Sequence, residues 1–450
     1  YNYQTDGLRI TSTLNKNVQQ AGKKAFKQHL SKMQRYFDQL YATGRSRRNI
    51  LKLAQKIAKR EQLDLTDETL AARNLFTWEN PDSSIEVSIQ DSLVHTLKQL
   101  HAGMLGINPQ NGAILTWIGG IDFSSYPYDQ VLAKRQLAST FKPILYAEAL
   151  RSGRKPCDYI SNESIVLNDY DNWSPQNYDG SSGGSYSLAA ALANSKNLPT
   201  VHLYFETEQE RLKQLWNDLG FIDPLNEGPS VILGTNSVSL LELALAYSVF
   251  ANGGQLVDSY TIQRIVDAEG VEIYTKNPKE FPHVLEKEVT TQLNQILQKA
   301  INEGTGASIR SKYGLRFPLA GKTGTSQDFA DAWFVGYNPN LLLVSRVGAS
   351  YPNIHFNSGA YGSGGRLALP LVALCLQEAQ KDAEFKRSMN TAYFASSASL
   401  DCEDYKDADL IDKVFKLFKR KEMSLEDERE KAKKKKKVKG FFKSIFGEKE

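Results

Sequence analysis

Two stretches of this sequence each read as a β-hairpin, and together they constrain the fold more than any other feature. Residues 103–107 are followed by Asn108-Pro109-Gln110-Asn111-Gly112 and then by 113–118; residues 332–337 are followed by Asn338-Pro339-Asn340 and then by 341–348. Apolar runs of strand length on either side of a turn rich in Asn and Pro, with Gly112 in the first, reverse the chain sharply, and so pair antiparallel. Further strand-like residues surround 319–325, and 367–379 has the composition of an apolar helix suited to covering a sheet.

The chain of 450 residues is long enough for two or three domains. Its 41% hydrophobic and 24% charged content is that of a soluble globular protein. The longest apolar run, 367–376, contains Pro370 and falls well short of the ~20 residues that cross a bilayer. The N-terminus lacks a signal-peptide pattern, although a longer parent could carry one. Cys157, Cys375 and Cys402 form no Cys-x-x-Cys pair and allow at most one disulfide. The six histidines are scattered, so no metal-ligand set is read, and no cofactor.

In order, 7–14 alternates as a strand, Asn15 suits a helix N-cap, and Val18, Ala21, Ala25 and Leu30 follow at helical spacing. From 31 to 80 the sequence is polar and helical, with Arg45, Arg47, Arg48, Lys52, Lys56, Lys59 and Arg60 crowded together. Such a run can meet an anionic polymer, but Ile50, Leu53 and Ile57 at helical spacing favour a solvated face, and no nucleic-acid partner is inferred. Ile85, Val87 and Ile89 continue as a strand passing into a helix with Leu93, Leu97 and Leu100. The division expected is 1–95, a linker region with a basic helical insertion at about 31–90; 96–385, the main domain; and 386–450, a charged tail, largely disordered. Within the tail 404–421 has the composition of a charged helix, and 433–446 that of a basic, aromatic surface anchor.

Chemistry enters with Ser139 and Lys142, three residues apart, so that on a helix the amine lies over the hydroxyl and can act as its base. A second copy, Ser152 with Lys155, has Gly153 inside it and looks like a helix end, which makes Lys155 a surface lysine. Pro143 falls in a first helical turn, placing Ser139 where unpaired N–H groups favour negative charge. The polar loop 161–184 carries Trp173 and Tyr178, which either line a cleft or cover the core. Ser195-Lys196-Asn197 follows an alanine-rich helix, with another Ser-x-Asn at 388–390; Lys322-Thr323-Gly324-Thr325 is the least expected by chance. Singly, the serine reads as a cap, Lys322 as a strand lysine facing water and Asn197 as a loop capper.

In this order the three motifs resemble those of the transpeptidase region of class A penicillin-binding proteins. The similarity extends to Asn108–Gly112, Phe141-Lys142-Pro143, Leu233-Gly234, 238–244, 251–254 and 331–337, and covers roughly 5–28 and 95–380. It implies an α+β fold of the serine β-lactamase/transpeptidase type, an antiparallel five-stranded sheet flanked by helices. It implies a serine D,D-transpeptidase that cross-links peptidoglycan stem peptides through an acyl-enzyme and is acylated by β-lactam antibiotics. A D,D-carboxypeptidase, or a non-catalytic β-lactam-binding scaffold, is the alternative. The implied roles are Ser139 as nucleophile, Lys142 as base and Ser195 as proton relay. Asn197, Lys322, Thr323, Gly324 and Thr325 would hold substrate with Trp173 and Tyr178, and the Ser139 and Thr325 N–H groups would form the oxyanion hole. The implied setting is the periplasmic face of the bacterial inner membrane, with a membrane anchor in a full-length parent and cell-wall synthesis proteins as partners. One departure stands out: Leu137-Ala138 occupies positions where the family usually has Pro-Gly, so a turn requiring positive φ would be strained here.

Overall fold

The structure, a computed structural model, describes residues 2–81, 84–277, 279–393 and 399–408. Both expected hairpins form, and they pair with each other. Strands β1 (His101–Ile107), β2 (Ile114–Ile118), β3 (Ala320–Thr325), β4 (Asp331–Tyr337) and β5 (Leu342–Gly348) build one sheet of order β3-β4-β5-β1-β2, antiparallel at every junction. Because strand side chains alternate in direction, each strand serves two cores. Trp333, Val335 and Tyr337 join one with Leu105 and Val344; Ala332 and Phe334 join the other with Met104 and Leu343.

The helices that matter for the site are α1 (Lys16–Leu40), α2 (Gly44–Glu61), α3 (Lys142–Arg151), α4 (Leu188–Ala193), α5 (Asn197–Glu206), α6 (Leu240–Ala251), α7 (Lys287–Asn302) and α8 (Leu369–Ala379). On the first face α3 is enclosed, buried from Lys142 to Leu150, which is why its sequence lacks a polar stripe. On the second face α1 lies against α8 and β2, so tightly that a Cβ on Gly22 would meet Ile118. Asn15 caps α1 by accepting from Val18 N–H at 3.0 Å, as its sequence predicts.

Two segments differ from the sequence reading. Within the segment expected to be separate, residues from Val18 to Val94 share the second core with the main domain, because Val18, Ala25, Leu30 and Phe37 turn inward along an unbroken α1. The helical character expected to residue 80 stops at Glu61, where Gln62 takes φ 57° and ends α2. Asp64 and Asp67 then close local turns on Thr66 and Thr69, and Ala71–Asn74 pairs with Ser84–Val87 as a two-stranded ribbon.

Residues 399–408, assigned by composition to the tail, are bound to the domain. Cys157 and Cys402 form a disulfide across a sequence separation of 245, and Tyr405–Lys406 adds a third strand to Tyr159–Ser161 and Ser185–Ser187. Tyr393 is also tied in, its hydroxyl accepting from Ala320 N–H at 3.0 Å. The charged helix expected from 404 extends beyond the described residues, as does the anchor at 433–446, while 405–406 is strand.

Candidate active site

The nucleophile turn is built against its neighbour 234–238. Leu137 N–H donates to Asn236 O at 2.9 Å and Ala138 N–H to Gly234 O at 3.1 Å. Ala138 sits at φ 52°, a left-handed conformation that costs an L-residue roughly 1–2 kcal/mol. The strain anticipated at Leu137-Ala138 is therefore present. Gly234, at φ 75°, cannot yield, because a Cβ there would overlap the Ala138 backbone. Ala138→Gly is expected to raise stability by about 0.5–1.5 kcal/mol, read as a higher urea midpoint at unchanged m-value.

Ser139 follows in the short turn Ala138–Thr140, half-buried, three residues ahead of Lys142 at the start of α3. Among the described residues no acceptor faces its backbone N–H and no hydrogen bond holds its hydroxyl. Lys142, fully buried, directs Nζ to Ser195 O at 2.7 Å, Lys196 O at 3.1 Å, Asn197 Oδ1 at 2.7 Å and Ser195 Oγ at 3.5 Å. Lys322 Nζ reaches the same hydroxyl at 2.9 Å and Thr323 O at 3.0 Å. The Ser195 hydroxyl thus lies between two buried amines. Lys142 Nζ makes no hydrogen bond to the Ser139 hydroxyl, its reach being spent on Ser195, Lys196 and Asn197.

Burial holds the Lys142 ammonium well below the usual lysine range, and the charge of Lys322 adds to the effect. Burial alone brings Lys322 down to about 7. In the unfolded chain the same amine keeps its proton to about pH 10.4. Across that window the unfolded state binds more protons, so stability rises with pH, and the cost of charging the buried amine is fully present below about pH 7. Urea midpoints of the wild type should therefore climb from pH 7 to about 9.5, and Lys322→Met should flatten the climb.

Strand β3 is an edge, and its register decides what it offers. Ser326 N–H donates to Asp331 O at 2.9 Å, so Thr325, opposite Ala332, is a non-hydrogen-bonded position whose N–H and C=O face the open edge. Gly324 packs beside Leu137 and Thr140, closing the strand onto the nucleophile turn. On the other face Thr323 Oγ1 meets Thr305 Oγ1 at 2.7 Å and Thr325 Oγ1 accepts from Gly364 N–H at 2.9 Å.

The loop 161–184 divides its aromatics. Trp173 is half-buried against the first core, whereas Tyr178 is 79% exposed with its hydroxyl against Gly359. Beside them are groups to which sequence reasoning gave no role. Buried Asn177 accepts at Oδ1 from Asn197 N–H at 2.7 Å and Leu198 N–H at 3.0 Å, capping α5, while Asn197 Nδ2 donates to Gln176 O at 2.7 Å. Lys196 Nζ pairs with Asp179 at 2.5 Å, and that amine holds the Asp179 carboxyl down to about 2. Only the nearness of Asn177 and Asp179 to the loop aromatics hinted at them, since both meet their partners through folding. The extra motif copies separate cleanly. Ser152 ends α3 with Lys155 exposed, and Ser388 and Asn390 bond back to Phe385 and Lys386.

Comparison with known proteins agrees with this geometry. Residues 103–345 match the family described as the penicillin binding protein transpeptidase domain. Penicillin-binding protein 1A of Neisseria lactamica is 34% identical over 284 residues, covering 60% of this chain and 35% of its own length. That of Rickettsia conorii is 28% identical over 324 residues, covering 66% and 40%. The chain thus spans between a third and two fifths of the lengths of these relatives. The crystal structure of penicillin-binding protein 1A from Haemophilus influenzae superposes with a TM-score of 0.65 at 19% identity, covering 84% of this chain and 67% of that one. The ceftriaxone acyl-enzyme of penicillin-binding protein A from M. tuberculosis gives 0.58 at 17% identity, covering 83% and 80%.

Proposed function

This chain belongs to the penicillin-binding protein transpeptidase family, as a class A transpeptidase region, and from that premise we propose that it is a serine D,D-transpeptidase. Its substrates are peptidoglycan stem peptides, and β-lactams acylate it at the same serine. The observation that carries the reading is the convergence of two buried amines, Lys142 and Lys322, on the half-buried Ser195 hydroxyl, with Asn197 on the first amine.

In its neutral form Lys142 takes the proton of Ser139 Oγ as that oxygen attacks the carbonyl between the terminal D-alanines. The oxyanion is received by the N–H groups of Ser139 and Thr325, each donor contributing about 3–4 kcal/mol. Ser195 passes the proton to the departing amine, and the second buried amine, Lys322, keeps the path polarised. Thr323, Gly324 and Thr325 meet the substrate's terminal carboxylate along the β3 edge. An acceptor amine then releases the acyl group as a cross-link; water would release it as a carboxypeptidase product. A β-lactam follows the first half only, since its leaving group stays attached. Tyr178 and Trp173 belong to the cleft-mouth loop in this reading.

An extracytoplasmic location accords with the Cys157–Cys402 disulfide, because such bonds persist in oxidising compartments. Among the described residues no helix is long and apolar enough to cross a membrane. In a parent protein with an anchor the domain would face the periplasm and work beside other cell-wall synthesis proteins.

Intact-mass spectrometry after benzylpenicillin exposure tests the proposal. One penicilloyl adduct is expected, mapping to the peptide that contains Ser139. An adduct elsewhere, or none, refutes it.

A further inference from the structure

Residues 399–408 lie beside the segment that leads into the Ser195 turn. Tyr405 and Lys406 pair with Tyr186 and Ser185, and Ser187 N–H donates to Asp404 O at 3.0 Å. Without that strand, Ser185–Ser187, paired on its other side with Tyr159–Ser161, would be an open sheet edge with unpaired N–H and C=O groups. Tyr159 adds a hydrogen bond to Glu403 O at 2.8 Å, and the disulfide closes the base of the strap.

The contacts continue to the motif. The Tyr405 ring lies 4.9 Å from that of Tyr186, and Lys196 Nζ stands 4.9 Å from the Tyr186 centroid. Lys196 is the middle residue of Ser-x-Asn. Ser187 caps α4, accepting from Ala190 N–H at 3.2 Å, and this short helix delivers Ser195 at φ 56°. A non-glycine residue keeps such a conformation only when both flanks are fixed. A second route runs through α7. Lys299 lies 3.3 Å from Asp404, and just beyond that helix Thr305 bonds Ala193 O at 3.2 Å and the Thr323 hydroxyl at 2.7 Å.

We propose that Asp404 and Tyr405, on this disulfide-fastened strap, are positioning residues for Ser195 and Asn197, so that acylation depends on the strap being closed. The proposal rests on the acyl-transfer reading. Reduction by dithiothreitol opens the strap: two electrons and two protons pass from the dithiol to the S–S bond, leaving thiols at Cys157 and Cys402 and a cyclic disulfide on the reagent. Cys375 is buried, its thiol pushed up to about 12, and takes no part.

The test measures the second-order rate of labelling by a fluorescent penicillin against pH, in oxidised and reduced protein. Reduction should slow labelling about 10- to 100-fold, the scale of a misplacement near 1 Å, and reoxidation should restore it. The pH midpoint should also rise, because a loosened turn lets water reach Lys142. The Cys157→Ser/Cys402→Ser protein should behave as reduced protein with or without dithiol. With the disulfide intact, Tyr405→Phe should keep the wild-type rate while Tyr405→Gly loses it. An unchanged rate on reduction overturns the proposal, and so does slower labelling at an unchanged midpoint, which would mean only that fewer molecules are folded. Hydrogen exchange over 185–197 is read in parallel and needs no acylation. Failure of the oxidised chain to label counts against the catalytic reading, whereas unchanged exchange on reduction counts against the strap.

Discussion

Lys142→Met is expected to slow acylation by benzylpenicillin about 10³- to 10⁴-fold, the upper range of what a positioned general base contributes. Methionine matches the length of the lysine stem and adds no charge at a position with no exposure to water. What it removes is, among the described residues, the amine that bonds both Ser195 and Asn197. The remaining amine, Lys322, reaches Ser195 from the β3 side and cannot replace it at Ser139 without leaving Thr323. In the wild type the rate should rise with pH through the lowered Lys142 midpoint and then level off, because the base works only when neutral. In the variant that rise should vanish. Thermal unfolding run alongside shows whether the protein is folded, and a folded Lys142→Met protein labelling within threefold of wild type would remove Lys142 from the role of base.

What was legible in the sequence was what is decided locally. The two hairpins were, because apolar strands and turns opening on Asn-Pro sit next to each other in the chain, and so was the Asn15 cap. The site motifs were legible as residue types in a given order, although helix spacing alone did not fix which atoms meet, since Lys142 Nζ bonds Ser195 and Asn197 rather than the Ser139 hydroxyl. Their convergence on Ser195 Oγ was not, since Lys142 and Lys322 approach it from elements 53 and 127 residues away. The left-handed Ala138 was foreseeable only as a conditional strain; Gly234, which requires it, lies in another segment. The largest departures came where long-range contact overrode composition. Residues 62–70 left the helix for local turns and 71–74 for a ribbon, and a stretch rich in Ser, Asp and Glu was drawn onto the domain by Cys402, a pairing that three widely spaced cysteines leave open.

A second large effect is expected from the charge buried in the sheet. Arg346 is 1% exposed, and its Nε donates to Asp331 Oδ1 at 2.6 Å while Nη2 bonds the same oxygen. Nη1 donates to Gln130 Oε1 at 2.9 Å, and Gln130 N–H bonds Gly119 O at 2.6 Å, so the guanidinium pins the loop that runs from β2 toward the nucleophile turn. Asp331→Ala leaves that guanidinium buried without its counter-charge, which should cost about 3–5 kcal/mol. For a domain of this size that corresponds to a fall in melting temperature of roughly 6–15 °C. Replacing both partners should behave differently. Asp331→Leu with Arg346→Met removes both desolvation costs, and most of the lost stability should return. Labelling should recover less than stability does, because Gln130 still lacks its donor and the loop ahead of Ser139 has lost its tether to β5. If instead the single variant melts within about 2 °C of wild type, the pair is hydrated and the loop is held by its backbone bonds alone.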